Sequence, residues 1–74
     1  MNENQLIKII EEATDSPQGS VTMESSSADI EGWDSLGHLQ LLSLLREHFG
    51  EDYNEDPDLA SATNVLEVFN IISR

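Results

Sequence analysis

The chain has 74 residues, no cysteine, and a formal charge of −12 from three basic and fifteen acidic residues. A chain of that length makes one small domain, and without thiols neither a disulfide nor a thiolate zinc site can staple it. The charge repels nucleic-acid phosphates and anionic lipid, and it suits a basic protein partner met by electrostatic steering.

The first predicted element is a helix from Asn2 to Ala13. Leu6, Ile9, Ile10 and Ala13 fall at helical spacing, with Ile7 widening the apolar face. Asn2 or Asn4 caps its start, and Pro17 and Gly19 are expected to stop it by Asp15 or Ser16. Glu11 and Glu12 lie near its end, where they oppose the helix dipole.

Residues 16 to 33 have no helical period. Turn-forming residues run from Ser16 to Ser20, and Ser25, Ser26 and Ser27 follow. Val21, Met23 and Ile30 are isolated apolar residues, read as anchors that tuck a long loop onto the helices. Loops of this length in small domains are usually functional.

The second helix is the strongest, from Ser35 to Phe49. Leu41, Leu42, Leu45 and Phe49 make one core stripe, while Leu36, Leu39 and Leu44 fall beside it. Asp34 and Ser35 give the start signal, Gly50 gives the stop, and Arg46 and His48 suit the dipole at its end. An acidic turn follows from Glu51 to Asp58. Pro57 opens a short helix running to about Ser61. Thr63 or Asn64 caps the last helix, whose stripe is Val65, Val68, Phe69 and Ile72. The expected fold is all-α: a small bundle of three main helices and one short one, with a long first loop.

Several chemistries are excluded or disfavoured. Lys8 is followed by only two isoleucines before Glu11 and Glu12, so no signal peptide is expected. No apolar run approaches membrane-spanning length, so no membrane insertion is expected. The absence of cysteine is compatible with a cytoplasmic location. Asp52, Asn54 and Asp56 alternate like the start of a calcium loop, but Pro57 stands where glycine is needed and Thr63 where a bidentate glutamate is needed. There is no glycine-rich phosphate loop and no basic patch. Ser35 and His38 are three apart on one helix, yet a hydrolase also needs an oxyanion hole and a cleft. His38 is read instead as a surface residue of the first turn, and Trp33 as a loop anchor.

Ser35 then has two readings. It is a helix N-cap, or it is an exposed hydroxyl at a helix N-terminus, where the dipole and free N–H groups favour a phosphodiester. Asp34-Ser35-Leu36, opening a leucine-rich helix in a small acidic four-helix chain, resembles the acyl carrier proteins. The likeness runs along essentially the whole chain: the apolar first helix, the long polar loop, the Phe49 turn, the short third helix and the Thr-capped last helix.

The resemblance implies an acyl-carrier-protein-like bundle and a non-catalytic, monomeric cytoplasmic protein. It implies 4′-phosphopantetheine on Ser35, added from coenzyme A by a magnesium-dependent phosphopantetheinyl transferase. Acyl cargo would be held as a thioester and passed between loading and transfer enzymes of a fatty acid, polyketide or other specialised pathway. By the same resemblance Asp34, Leu36, Leu39 and Glu47 would meet partner enzymes. Leu41, Leu42, Leu45, Val65, Val68 and Phe69 would line an acyl-chain cavity. Fatty-acid carriers usually display several acids along this helix, whereas here only Glu47 follows the serine. The Gly-Trp-Asp-Ser-Leu-Gly-His form is similar to specialised carriers. Two alternatives are a stand-alone peptidyl or aminoacyl carrier, and an acidic helical interaction adaptor with no prosthetic group.

Overall fold

The computed structural model describes residues 2–50 and 56–74. Residues 51–55 of the acidic turn, with Asp52 and Asn54 of the tested calcium-loop positions, lie outside them. Among the described residues four helices follow in order: α1 (Glu3–Ala13), α2 (Ser35–Phe49), α3 (Pro57–Ala60) and α4 (Val65–Ser73). Among the described residues the one extended pairing is an antiparallel bridge between Ser26 and Asn64. None of the described helices is long and apolar enough to cross a membrane.

Local chemistry sets the helix ends. Asn2 caps α1: its side chain accepts from Gln5 N–H at 2.8 Å, and Gln5 Oε1 accepts from Asn2 N–H at 3.0 Å, a reciprocal capping box. α1 ends at Ala13, within the expected bound, but the stop is made at Asp15 instead of at Pro17 and Gly19. Asp15 adopts a left-handed φ of 54°, Asp15 N–H bonds Glu12 O, and Ser16 N–H bonds Glu11 O at 2.9 Å. Those two bonds are the Schellman closure, with Asp in the place glycine usually takes. Gly50, at φ 75°, closes α2 in the same left-handed region. Asp56 caps α3 ahead of Pro57, and Asn64 caps α4 by accepting from Glu67 N–H at 2.8 Å. Thr63 therefore does not cap α4; its own N–H goes to the Glu67 carboxylate.

The apolar stripes meet as expected. Leu6, Ile9 and Ile10 of α1, Leu41, Leu42 and Leu45 of α2, Leu59 of α3, and Val65 and Val68 of α4 form one buried cluster. Phe69, Phe49 and Leu44 are half-buried against it. Each full burial of such a side chain stabilises by about 1.5–3 kcal/mol. The long loop contributes Val21, Ile30 and Trp33 to the same cluster, with Met23 half-buried beside them.

That loop is a run of tight turns. Ser20 N–H bonds Pro17 O, Ser25 bonds Thr22, Asp29 bonds Ser26, and Trp33 bonds Ile30, each three residues back. Ser27 N–H to Thr63 O at 2.7 Å and Val65 N–H to Ser25 O at 3.0 Å then tie it to the start of α4. The radius of gyration is 10.7 Å, against about 11 Å for a compact chain of this length, as a loop laid flat on the helices requires.

Arg74 bridges Asp56 at 3.0 Å and Asp58 at 3.1 Å, joining the end of α4 to the start of α3. The Leu59 N–H, with help from Arg74, holds the Asp56 carboxyl below the usual carboxylate range.

Candidate functional site at the start of α2

Asp34, not Ser35, is the N-cap of α2. Its Oδ1 accepts from Gly37 N–H at 2.9 Å, and its backbone carbonyl takes His38 N–H at 2.8 Å. Ser35 is consequently the first helical residue, and it is exposed. Among the described residues its hydroxyl makes no hydrogen bond, and neither do the N–H groups of Ser35 and Leu36. The first turn of a helix has no internal acceptors for those groups. The capping reading of Ser35 is thereby corrected: the neighbouring carboxylate does that work. Asp34→Ala should cost about 1 kcal/mol of stability, as lost caps do, whereas Ser35→Ala should stay within about 0.5 kcal/mol. Urea unfolding of the two variants checks the order.

Two glycines make the junction. A Cβ on Gly32 would lie 1.9 Å from Thr14 O, and a Cβ on Gly37 would lie 2.0 Å from Gly32 O. The end of α1, the loop and the first turn of α2 therefore touch backbone to backbone just behind Ser35. From the other side Glu11, itself buried, accepts from Gly19 N–H at 2.8 Å and Val21 N–H at 3.3 Å. Glu11 thus pins the loop instead of merely opposing the dipole.

His38 is not a free surface residue. Trp33 Nε1–H donates to His38 Nδ1 at 3.0 Å, and His38 Nε2 lies 2.8 Å from Leu59 O. An indole N–H can only donate, so Nδ1 is the acceptor and the ring carries its proton on Nε2, donating to Leu59 O. Both nitrogens are engaged away from Ser35, so the Ser35–His38 pair has no nucleophile–base geometry. Trp33 is buried, as its anchoring role requires.

Beside Ser35 runs an open groove of about 750 Å³. Ser35, His38, Leu39 and Leu42 form its α2 wall, Trp33 and Ser27 come from the loop, and residues 60–63 face them. Of the residues expected to line an acyl cavity, Leu42 alone reaches this groove. Leu41, Leu45, Val65 and Val68 have no exposed surface and belong to the packed interior, and Phe69 lies half-buried at its edge. Of the expected partner-facing residues, Leu36 and Leu39 are 68% and 57% exposed, and Asp34 is exposed beside them. Glu47 is also exposed, but twelve residues of helical rise put it about 18 Å along α2 from Ser35. Gly32, Gly37 and Glu11 are the site-building residues that sequence reasoning missed, together with the inward hydrogen bonds of His38. Compared with protein-family models, curated proteins and solved structures, the chain matches none.

Proposed function

We propose that this chain is a discrete acyl carrier whose Ser35 takes 4′-phosphopantetheine from coenzyme A. One observation carries the reading: Ser35 stands exposed at the first position of α2, relieved of capping by Asp34, with two free N–H groups at its side. Those groups and the positive end of the helix dipole fit a phosphodiester on the Ser35 oxygen. Asp34 is exposed next to it, with its cap bond made by Oδ1 only, and its carboxylate suits a magnesium ion brought by the donor. Once attached, the group supplies a thiol that holds acyl cargo as a thioester.

The surroundings suit a carried group. Leu36 and Leu39 offer an apolar contact next to the serine, and the acidic surface draws basic partners by long-range attraction. The partners would be a phosphopantetheinyl transferase and the loading and transfer enzymes of a specialised biosynthetic pathway, with the carrier a cytoplasmic monomer.

Intact-protein mass spectrometry tests the reading. The chain is incubated with coenzyme A, magnesium and a broad-specificity transferase, beside Ser35→Ala. The expected gain is one phosphopantetheine on the wild type and none on the variant. In that exchange the Ser35 oxygen replaces adenosine 3′,5′-bisphosphate on phosphorus and its proton leaves with the transferase. No gain on the folded wild type across several transferases would sink the carrier and favour the adaptor.

A further inference from the structure

We propose that Trp33 and His38 form a latch between α2 and α3. The latch shuts the bundle interior to a group tethered at Ser35 and leaves that group in the open groove. The tether rests on the carrier reading; the latch rests on geometry.

The two rings have centroids 6.3 Å apart and planes 11° apart. The 3.0 Å N–H···N bond joins the rims of the rings, and its donor and acceptor directions both lie in the ring planes. Trp33 and His38 therefore lie edge to edge, as one flat strut. One end is buried in the core through Trp33, and the other holds Leu59 O at 2.8 Å. A neutral ring in the Nε2–H tautomer satisfies both ends at once, so the strut has one arrangement.

Trp33 and His38 line the groove together with Ser35, and the strut spans from there to Leu59 of α3. Leu59, whose carbonyl it holds, has its side chain wholly buried, as do Leu41, Leu45, Val65 and Val68. Entry past His38 breaks the bond to Leu59 and also displaces close-packed core atoms. The groove costs neither. Ser35 already lines it, its Leu39 and Leu42 wall is apolar, and its volume falls in the range of small-molecule sites.

The test uses the whole chain as wild type, His38→Ala and Trp33→Phe. Each is loaded from octanoyl-coenzyme A by a transferase with magnesium, and loading is scored by intact mass. Methyl NMR shifts of Leu41, Leu45, Val65 and Val68 are then compared with those of the unloaded proteins. In the wild type these should hold still while signals from Leu42, Ala60 and Ala62 move. In both variants the interior methyls should move. Trp33→Phe keeps an aromatic ring and loses the N–H donor, so it reads the bond even if His38→Ala folds poorly. Free octanoyl-pantetheine titrated into the same proteins repeats the comparison without the transferase. Failure to load overturns the carrier reading alone, and the free ligand then judges the latch. Interior shifts in the wild type as large as in the variants overturn the latch. So do interiors that stay closed in both variants.

Discussion

Gly37→Ala should destabilise the protein by about 3 kcal/mol or more, the upper end of overpacking costs. Helix propensity alone predicts the opposite sign. Gly37 lies in the first turn of α2, and a helical Gly→Ala change ordinarily stabilises by up to about 1 kcal/mol. The added methyl, however, would sit 2.0 Å from Gly32 O. That atom is backbone and cannot rotate aside, so α2 must tilt or the loop must lift. Gly32→Ala meets Thr14 O at 1.9 Å and should behave alike. Folded domains hold only about 0.05–0.15 kcal/mol per residue, so either variant should sit near the edge of folding. Urea denaturation followed by circular dichroism measures this. A Gly37→Ala protein as stable as the wild type would show that the three segments do not touch as described, and Ser35 would lose the backing that places it.

Glu11→Ala should cost about 2–3 kcal/mol, the range for losing hydrogen bonds to a charged group. The Glu11 carboxylate takes the N–H groups of Gly19 and Val21, and Val21 is buried in the core cluster. Alanine leaves the Val21 N–H without an acceptor in a place water does not reach. Glu11→Gln keeps one oxygen in position and should lose roughly half as much, as a neutral acceptor makes the weaker bond. Amide hydrogen exchange at Gly19 and Val21 separates this from a general loss of helix α1. Protection should fall at those two sites in Glu11→Ala and largely persist in Glu11→Gln. Equal protection in all three proteins would mean that Glu11 does not hold the loop.

These two predictions concern residues that the reading of the sequence assigned no part in the site. Glycines 32 and 37 bracket Trp-Asp-Ser-Leu, and their spacing looks like ordinary punctuation until the loop is folded back on Thr14. Glu11 looks like one more surface acid near a helix end. The signal that distinguishes it is its position: at Glu11, unlike Glu12, the side chain falls on the buried face with Leu6, Ile9 and Ile10. For Ser35 the division differs. The sequence alone placed it at a helix start, but both Asp34 and Ser35 are good caps, and the choice between them is one of backbone angles. With Asp34 extended at φ −110° and its carboxylate on Gly37, the hydroxyl is left free for chemistry.

What the sequence determined by itself is the set of short-range features. The four helices, the glycine stop at Gly50 and the apolar stripes all follow from residues within about one turn of each other, and the caps at Asn2 and Asn64 were each one of two candidates. Helix periodicity and capping are local physics, so a linear reading can reach them. Only the tertiary structure decided what fills the space beside Ser35. His38 finds Leu59 across 21 positions of chain, Ser27 finds Thr63, and Gly32 finds Thr14. These contacts exist because four short helices and a run of turns share one small core, and burial leaves each polar group few places to find a partner. Trp33 reads as an anchor in either view. That its indole N–H fixes the tautomer of His38, and through it the seat of α3, follows only from where the fold brings Leu59.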